Sequence, residues 1–217
     1  MSEQSDQFME LLNRQEDLHP DLKPHLSNVG NLGPCIRHPL IYSMLHHDAM
    51  NAMINQSYLY KKEEVQKRLD KGDYIGYIWF HERPYRWEAL MEVAHKMTDT
   101  DFWSTFGSIW SDTENQWQYA STIRAMLKSK RPGREHMMDE DEHQLLAELP
   151  DEVRVFRGHQ IRNKNGYSWT LSYWRAKWFG RRLISGGQRY GVIAGTVKKS
   201  DIIAVLLGRG EMEIAVD

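Results

Sequence analysis

The sequence predicts an α+β protein: a helical region of about 150 residues, then a compact mixed β region. Three observations predict it. Apolar residues recur at helical spacing from about Pro39 to Lys128. After Pro150, alternating and β-branched segments take over. The charge also changes sign: residues 151–217 hold twelve Lys and Arg against six Asp and Glu, a net +6, whereas residues 1–150 carry a net −8.

The elements follow in order. Phe8, Leu11 and Leu12 form a short amphipathic pattern that reads as a short helix. Pro20, Pro24, Gly30, Gly33, Pro34 and Pro39 punctuate the next stretch, which reads as loop. Leu40, Met44, Met50, Met53, Ile54, Val65 and Leu69 then predict helix from Pro39 to Lys71. Tyr74 to Phe80 is aromatic and β-branched, and period alone leaves strand and buried helical turn both open. Helical spacing resumes over Trp87–Met97, Asp101–Trp110 and Ser111–Lys128, with Ser111 and Glu114 in capping-box spacing. A basic loop runs from Lys128 to Arg134. Asp139 with Glu142 then caps a short helix that Leu149-Pro150 closes. Val153–Phe156, Tyr190–Val197, Ile202–Leu207 and Glu211–Val216 read as strands, Ser172–Arg182 as a helix and Gly186-Gly187 as a turn.

Composition narrows the function classes. With 41% hydrophobic and 27% charged residues the chain can build a core. Its one cysteine, Cys35, excludes an internal disulfide and a cysteine-based zinc site. Met1 to Gln7 is polar, and no run approaches the roughly 18 apolar residues of a membrane span, so a cytoplasmic protein with no membrane partner is expected. His38, His46, His47 and Asp48 suggest a metal cluster at first sight. Adjacent histidines diverge on a helix, however, and no metal is expected. Eight Trp and ten Tyr serve either a core or a groove for flat ligands. The basic C-terminal part fits either docking onto the acidic part or a polyanion, a dinucleotide or a nucleic acid.

Three short patterns carry chemistry. Val155-Phe-Arg-Gly158 ends a strand on Arg157. Tyr167-Ser-Trp-Thr170 is strand-like and runs into the helix from Ser172. Gly208-Arg-Gly-Glu-Met-Glu-Ile214 leads into the last strand. In a strand Met212, Ile214 and Val216 share one face, and Glu211, Glu213 and Ala215 share the other. Two neighbouring carboxylates repel unless a positive charge compensates them.

In order and placement these patterns resemble the arginine–serine–glutamate class of ADP-ribosyltransferases, which includes bacterial toxins and phage enzymes. The resemblance covers residues 150–217, and Ala176-Lys-Trp-Phe179 resembles the family's helix at that place. It implies a split β-sandwich of ADP-ribosyltransferase type, with NAD⁺ as substrate and no metal. It implies that Arg157 contacts the phosphates and nicotinamide ribose, that Ser168 orients the catalytic Glu213, and that Glu211 orients or deprotonates the acceptor. Gly158, Trp169, Thr170 and Phe179 would complete the NAD⁺ site. Ser-Trp-Thr stands where many members have Ser-Thr-Ser, which leaves open which hydroxyl orients the carboxylate. The β region is short for the family, so residues 131–150 are expected to supply missing elements, and the resemblance thus implies a module over residues 131–217 after a helical region over residues 1–130. Arg209 either binds phosphate or pairs with Glu211. The expected activity is mono-ADP-ribosylation of a macromolecular acceptor, with protein, including arginine, ahead of RNA or DNA. The alternatives are an NAD⁺ glycohydrolase with water as acceptor, and a non-catalytic nucleic-acid-binding accessory protein using Trp169, Trp174 and Trp178.

Overall fold

In a computed structural model, residues 14–43, 45–113, 116–160, 164, 166–182, 184 and 189–216 are described. The Phe8–Leu12 pattern, Met44, Glu114 and Gly186-Gly187 lie outside them. The chain divides into two compact units, one up to Met97 and one from Thr98. Among the described residues there are seven α-helices and two antiparallel sheets, an α+β protein. None of these helices is long and apolar enough to cross a membrane.

The first unit opens with a three-stranded sheet where the sequence reads as loop and early helix. β1 (Leu26–Asn28), β2 (Pro34–His38) and β3 (Ile41–Ser43) are joined in that order. The prolines and glycines are the turns between these strands. Gly30 and Gly33, at φ 52° and 86°, take the chain from β1 to β2 in a conformation other residues resist. Pro39-Leu40 turns β2 into β3, with His38 opposite Ile41. The helix expected from Pro39 therefore begins only at Asn51: α1 (Asn51–Lys71) ends on Gly72 in the left-handed conformation, whose N–H caps the Arg68 and Leu69 carbonyls. Ile54 and Tyr58 of α1 pack with Leu18, Leu22, Ile36 and Ile41 into the core of this unit. Tyr74–Phe80 is helical (α2), capped by the Asp73 side chain, which accepts from Gly76 N at 2.9 Å. α3 (Arg86–Val93) follows.

His38 is held neutral here. Its Nδ1 accepts the Leu40 N–H at 3.0 Å, and its ring meets His25 and Tyr58 edge-on. Burial, then the neighbouring His25, lowers its pKa from 6.5 to about 4. Between those values the unfolded chain binds the proton and the folded chain does not, so stability falls as pH drops from 6.5 towards 4. NMR titration of the imidazole signals is expected to show His38 protonating near pH 4, below the ordinary 6.5.

The second unit begins with α4 (Asp99–Asp112), capped by Thr98, which accepts from Asp101 N at 3.1 Å. Phe102, Trp103, Phe106, Ile109 and Trp110 are fully buried along it. Ser111 lies inside this helix and does not cap the next, α5 (Ala120–Leu127). α6 (Glu140–Glu148) carries the expected capping box of Asp139 and Glu142. Glu142 does more than cap: its other carboxylate oxygen accepts Leu207 N at 2.6 Å, tying the helix start to the end of β7 (Ile202–Leu206). The remaining elements are β4 (Glu152–Gln160), β5 (Ser168–Thr170), α7 (Tyr173–Arg181), β6 (Tyr190–Lys198) and β8 (Glu213–Val216). The sheet order is β6-β4-β5-β8-β7. α4 to α6 thus belong to the same unit as the strands, which starts at Thr98.

Candidate active site

The five-stranded sheet is nearly split. β4 pairs with β6 along its whole length, but it meets β5 at a single pair, Phe156 opposite Thr170. α7 lies against β4 at Gly158. A Cβ built there would stand 1.8 Å from the Ala176 carbonyl oxygen and 2.6 Å from Gly180 N, so glycine permits the approach. At this seam opens a cleft of about 410 Å³, a size usual for ligand sites. Arg157, Gly158, Ser168, Trp169, Thr170 and Phe179 all line it. So do Glu211 and Glu213. The three patterns, spread over residues 155–214, therefore converge on one cavity.

Strand register brings the hydroxyl to the carboxylate. Thr170 stands opposite Glu213 and Ser168 opposite Ala215, so Ser168, Thr170, Glu213 and Ala215 share a face. Glu213 is only 8% exposed. The Ser168 hydroxyl donates to its carboxylate, and Trp110 Nε1 donates to Oε1 at 2.8 Å. Burial pushes the Glu213 pKa up, the Ser168 and Trp110 bonds pull it down, and Glu211 adds a further upward push. The two hydroxyls of Ser-Trp-Thr divide the work. Ser168 serves the carboxylate, while Thr170 Oγ1 donates to the Glu211 carbonyl at 2.8 Å and fixes the loop bearing Glu211.

Arg157 reaches the same group from the other side of the seam, its Nη1 donating to the Ser168 carbonyl. Ser168 thus touches the arginine through its backbone and the glutamate through its side chain. Burial lowers the Arg157 pKa and the Glu213 carboxylate opposes that, leaving a guanidinium that stays charged at neutral pH. Gly166 lies directly against it: a Cβ there would come 2.4 Å from Nη2.

The turn from β7 to β8 differs from the strand expected over Glu211–Val216. β8 begins at Glu213. Arg209, Gly210 and Met212 have φ of 58°, 63° and 44°. Met212 is consequently 40% exposed and does not share a core face with Ile214 and Val216. Glu211 reaches the cleft from this turn and not from the strand. Left-handed non-glycine residues cost about 1 kcal/mol or more each and persist where surrounding bonds hold them. Here Leu171 N donates to the Met212 carbonyl at 3.2 Å and Arg175 Nη2 to the Gly210 carbonyl at 2.8 Å. Arg209 Nε lies 3.6 Å from Glu211 Oε1, the pairing arrangement.

Sequence reasoning missed several lining residues. Trp110, Trp117 and Arg182 line the cleft, and Trp117 is 77% exposed. Trp110 carries a signal in hindsight, the aromatic face of α4, but nothing local ties it to Glu213. Trp174 and Trp178 stand on the outer side of α7, exposed, whereas Trp169 lies half-buried in the cleft wall. Chemically, the lining offers guanidinium groups for phosphates, flat rings for stacking and one buried, hydrogen-bonded carboxylate.

The histidines of the first unit are placed otherwise. His46 is buried, donating through Nε2 to Asn51 Oδ1 at 2.8 Å, and His47 caps the turn at Asp48–Met50. Among the described residues no group of three or more His, Cys, Asp or Glu side chains is placed to hold a metal ion. Comparisons with protein-family models, with curated proteins and with solved structures find no match to this chain.

Proposed function

We propose that the protein is a mono-ADP-ribosyltransferase that splits NAD⁺ at the nicotinamide–ribose bond and passes ADP-ribose to a macromolecule. The observation that carries this reading is the convergence of Arg157, Ser168 and Glu213 on one cleft, with Ser168 bonded to both of the others. The nearly split five-stranded sheet is read as the family's split sandwich.

Each residue has a task its surroundings suit. Arg157 and Arg182 bind the pyrophosphate, for which a fixed, charged, planar donor is well matched. Trp117, Trp169 and Phe179 wall the cleft with flat surfaces for the rings of the dinucleotide. Glu213 accepts from a hydroxyl of the nicotinamide ribose and stabilises the positive charge that grows at C1′ as neutral nicotinamide departs with the bonding electrons. That charge exists only near the transition state, so the carboxylate acts where it accelerates the reaction. Its desolvated position strengthens the interaction. Glu211, on the adjoining turn, takes the proton of the incoming nucleophile.

Labelled NAD⁺ incubated with the protein and whole cell extract tests this. Label is expected in macromolecules, and digestion with protease or nuclease assigns the acceptor. Glu211→Gln is expected to suppress transfer more than nicotinamide release, because it removes the base for the acceptor alone. Label that never enters macromolecules while nicotinamide is released would identify water as the acceptor.

The pH profile tests the surroundings of Glu213. Trp110→Phe keeps an aromatic side chain on this face of α4 and removes the N–H that favours the ionised carboxylate. The acid limb of kcat/KM for NAD⁺ cleavage is expected to move to higher pH, and Ser168→Ala should move it the same way. An unmoved limb would mean that Glu213 is not the titrating group.

A further inference from the structure

The outer face of α7 exposes large aromatic rings. Trp174 and Trp178 are 72% and 50% exposed, and Tyr173 and Tyr190 beside them are also exposed. Trp174 and Trp178 stand four residues apart, on one side of the helix and about 6 Å apart along its axis. Cations sit over these rings: Lys177 Nζ is 5.2 Å from the Trp174 centroid, and the Arg182 guanidinium is 5.3 Å from that of Trp178. Arg181 lies over Tyr190. The surrounding sequence is free of acid. Residues 153–200 contain eleven Lys and Arg and no Asp or Glu, in a chain whose net charge is −2.

We infer that this face holds single-stranded nucleic acid at the mouth of the cleft. Exposed aromatic rings interleaved with cations match a ligand that alternates flat bases with phosphates. A duplex hides the faces of its bases. An acidic protein would account for the cations but not for the exposed indoles. The face is also rigidly mounted, since α7 buries Ala176 and Gly180 against β4. Arg182 joins the two regions, lining the cleft while lying over Trp178. A strand on the indoles would therefore present its next nucleotide at the cavity. That the strand is the ADP-ribose acceptor rests on the proposed activity; that it docks here does not.

The test measures the anisotropy of a labelled single-stranded oligonucleotide of about 20 nucleotides with the full chain and no NAD⁺, between about 50 and 200 mM salt. Trp174→Ala with Trp178→Ala is expected to weaken binding about tenfold or more, and the paired Phe variants to recover most of it, because Phe still stacks. Lys177→Ala with Arg181→Ala should flatten the slope of log K against log salt by about 1.4. A circular-dichroism melt checks that the Ala pair folds, and the Phe pair separates loss of stacking from loss of fold. Unchanged affinity in the Ala pair would overturn the inference. So would a duplex that binds as well as the single strand, or displacement of the strand by polyglutamate or anionic vesicles at matched charge. Loss of binding leaves the assignment of the cleft standing. A protein that binds the strand but releases no nicotinamide contradicts that assignment and leaves the docking face intact.

Discussion

Glu213→Gln is expected to raise the melting temperature of the protein while removing its NAD⁺ cleavage. The side chains have nearly the same shape, and the amide oxygen can still accept from Trp110 Nε1 and the Ser168 hydroxyl. What disappears is a carboxylate that burial disfavours in its charged form. The sign with pH follows from linkage. The folded pKa lies above the ordinary 4.5, so the folded protein binds more protons than the unfolded chain between the two values. Stability is therefore lost as pH rises through the folded value. The gain from Gln should be largest above that value and vanish below 4.5. Activity moves the other way. Removing one preorganised group from a site of developing charge typically costs about 10²–10³ in rate, and the carboxylate here is central. Melting curves at acid and alkaline pH, set beside turnover, check both signs. A variant that melts lower at alkaline pH would mean that the carboxylate supports the fold and is not held there at its expense.

Gly158→Ala is the second large effect. The added Cβ would meet the Ala176 carbonyl and Gly180 N, both backbone atoms of α7, so no side-chain rotation relieves it. The helix must move off β4. Overpacking of this kind costs about 1–3 kcal/mol or more, and here it displaces the wall that carries Ala176, Phe179 and Arg182. A melting temperature lower by several degrees is expected, together with a higher KM for NAD⁺ at whatever temperature the variant stays folded. Gly166→Ala offers a contrast. Its Cβ meets the far end of the Arg157 side chain and no backbone, so it should disturb NAD⁺ binding more than stability. A Gly158→Ala protein that melts and binds like the parent would show that α7 is not held by backbone contact.

How far the site could be read from the sequence depends on distance along the chain. β4, β5 and β8 each bring one key residue, and each lies inside a short pattern whose period of two assigns a face. Ser168 and Glu213 come together because register puts Ser168 opposite Ala215, two residues from Glu213. Trp110 could not be read this way. It lies 103 residues from Glu213, and the helical spacing of α4 announces burial without naming the partner. Glu142 is similar: its spacing from Asp139 announces a cap, but its bond to Leu207 spans 65 residues. The small sheet of the first unit escaped for another reason. Strands of three to five residues are too short to show a period, and the prolines and glycines between them mark turns without saying what they join. Met212 departs from the strand pattern because the turn before β8 continues one residue beyond Glu211 in a left-handed conformation, which alternation cannot show.

The most direct test of the account uses NAD⁺ carrying its label in the nicotinamide ring, with purified protein and its Glu213→Gln and Arg157→Ala variants. The parent protein is expected to release free nicotinamide steadily. Release about a hundredfold slower or more is expected from Glu213→Gln, which still binds NAD⁺, and loss of NAD⁺ binding in Arg157→Ala. A folded parent protein that neither binds NAD⁺ nor frees nicotinamide, or a Glu213→Gln variant that frees it undiminished, would contradict it.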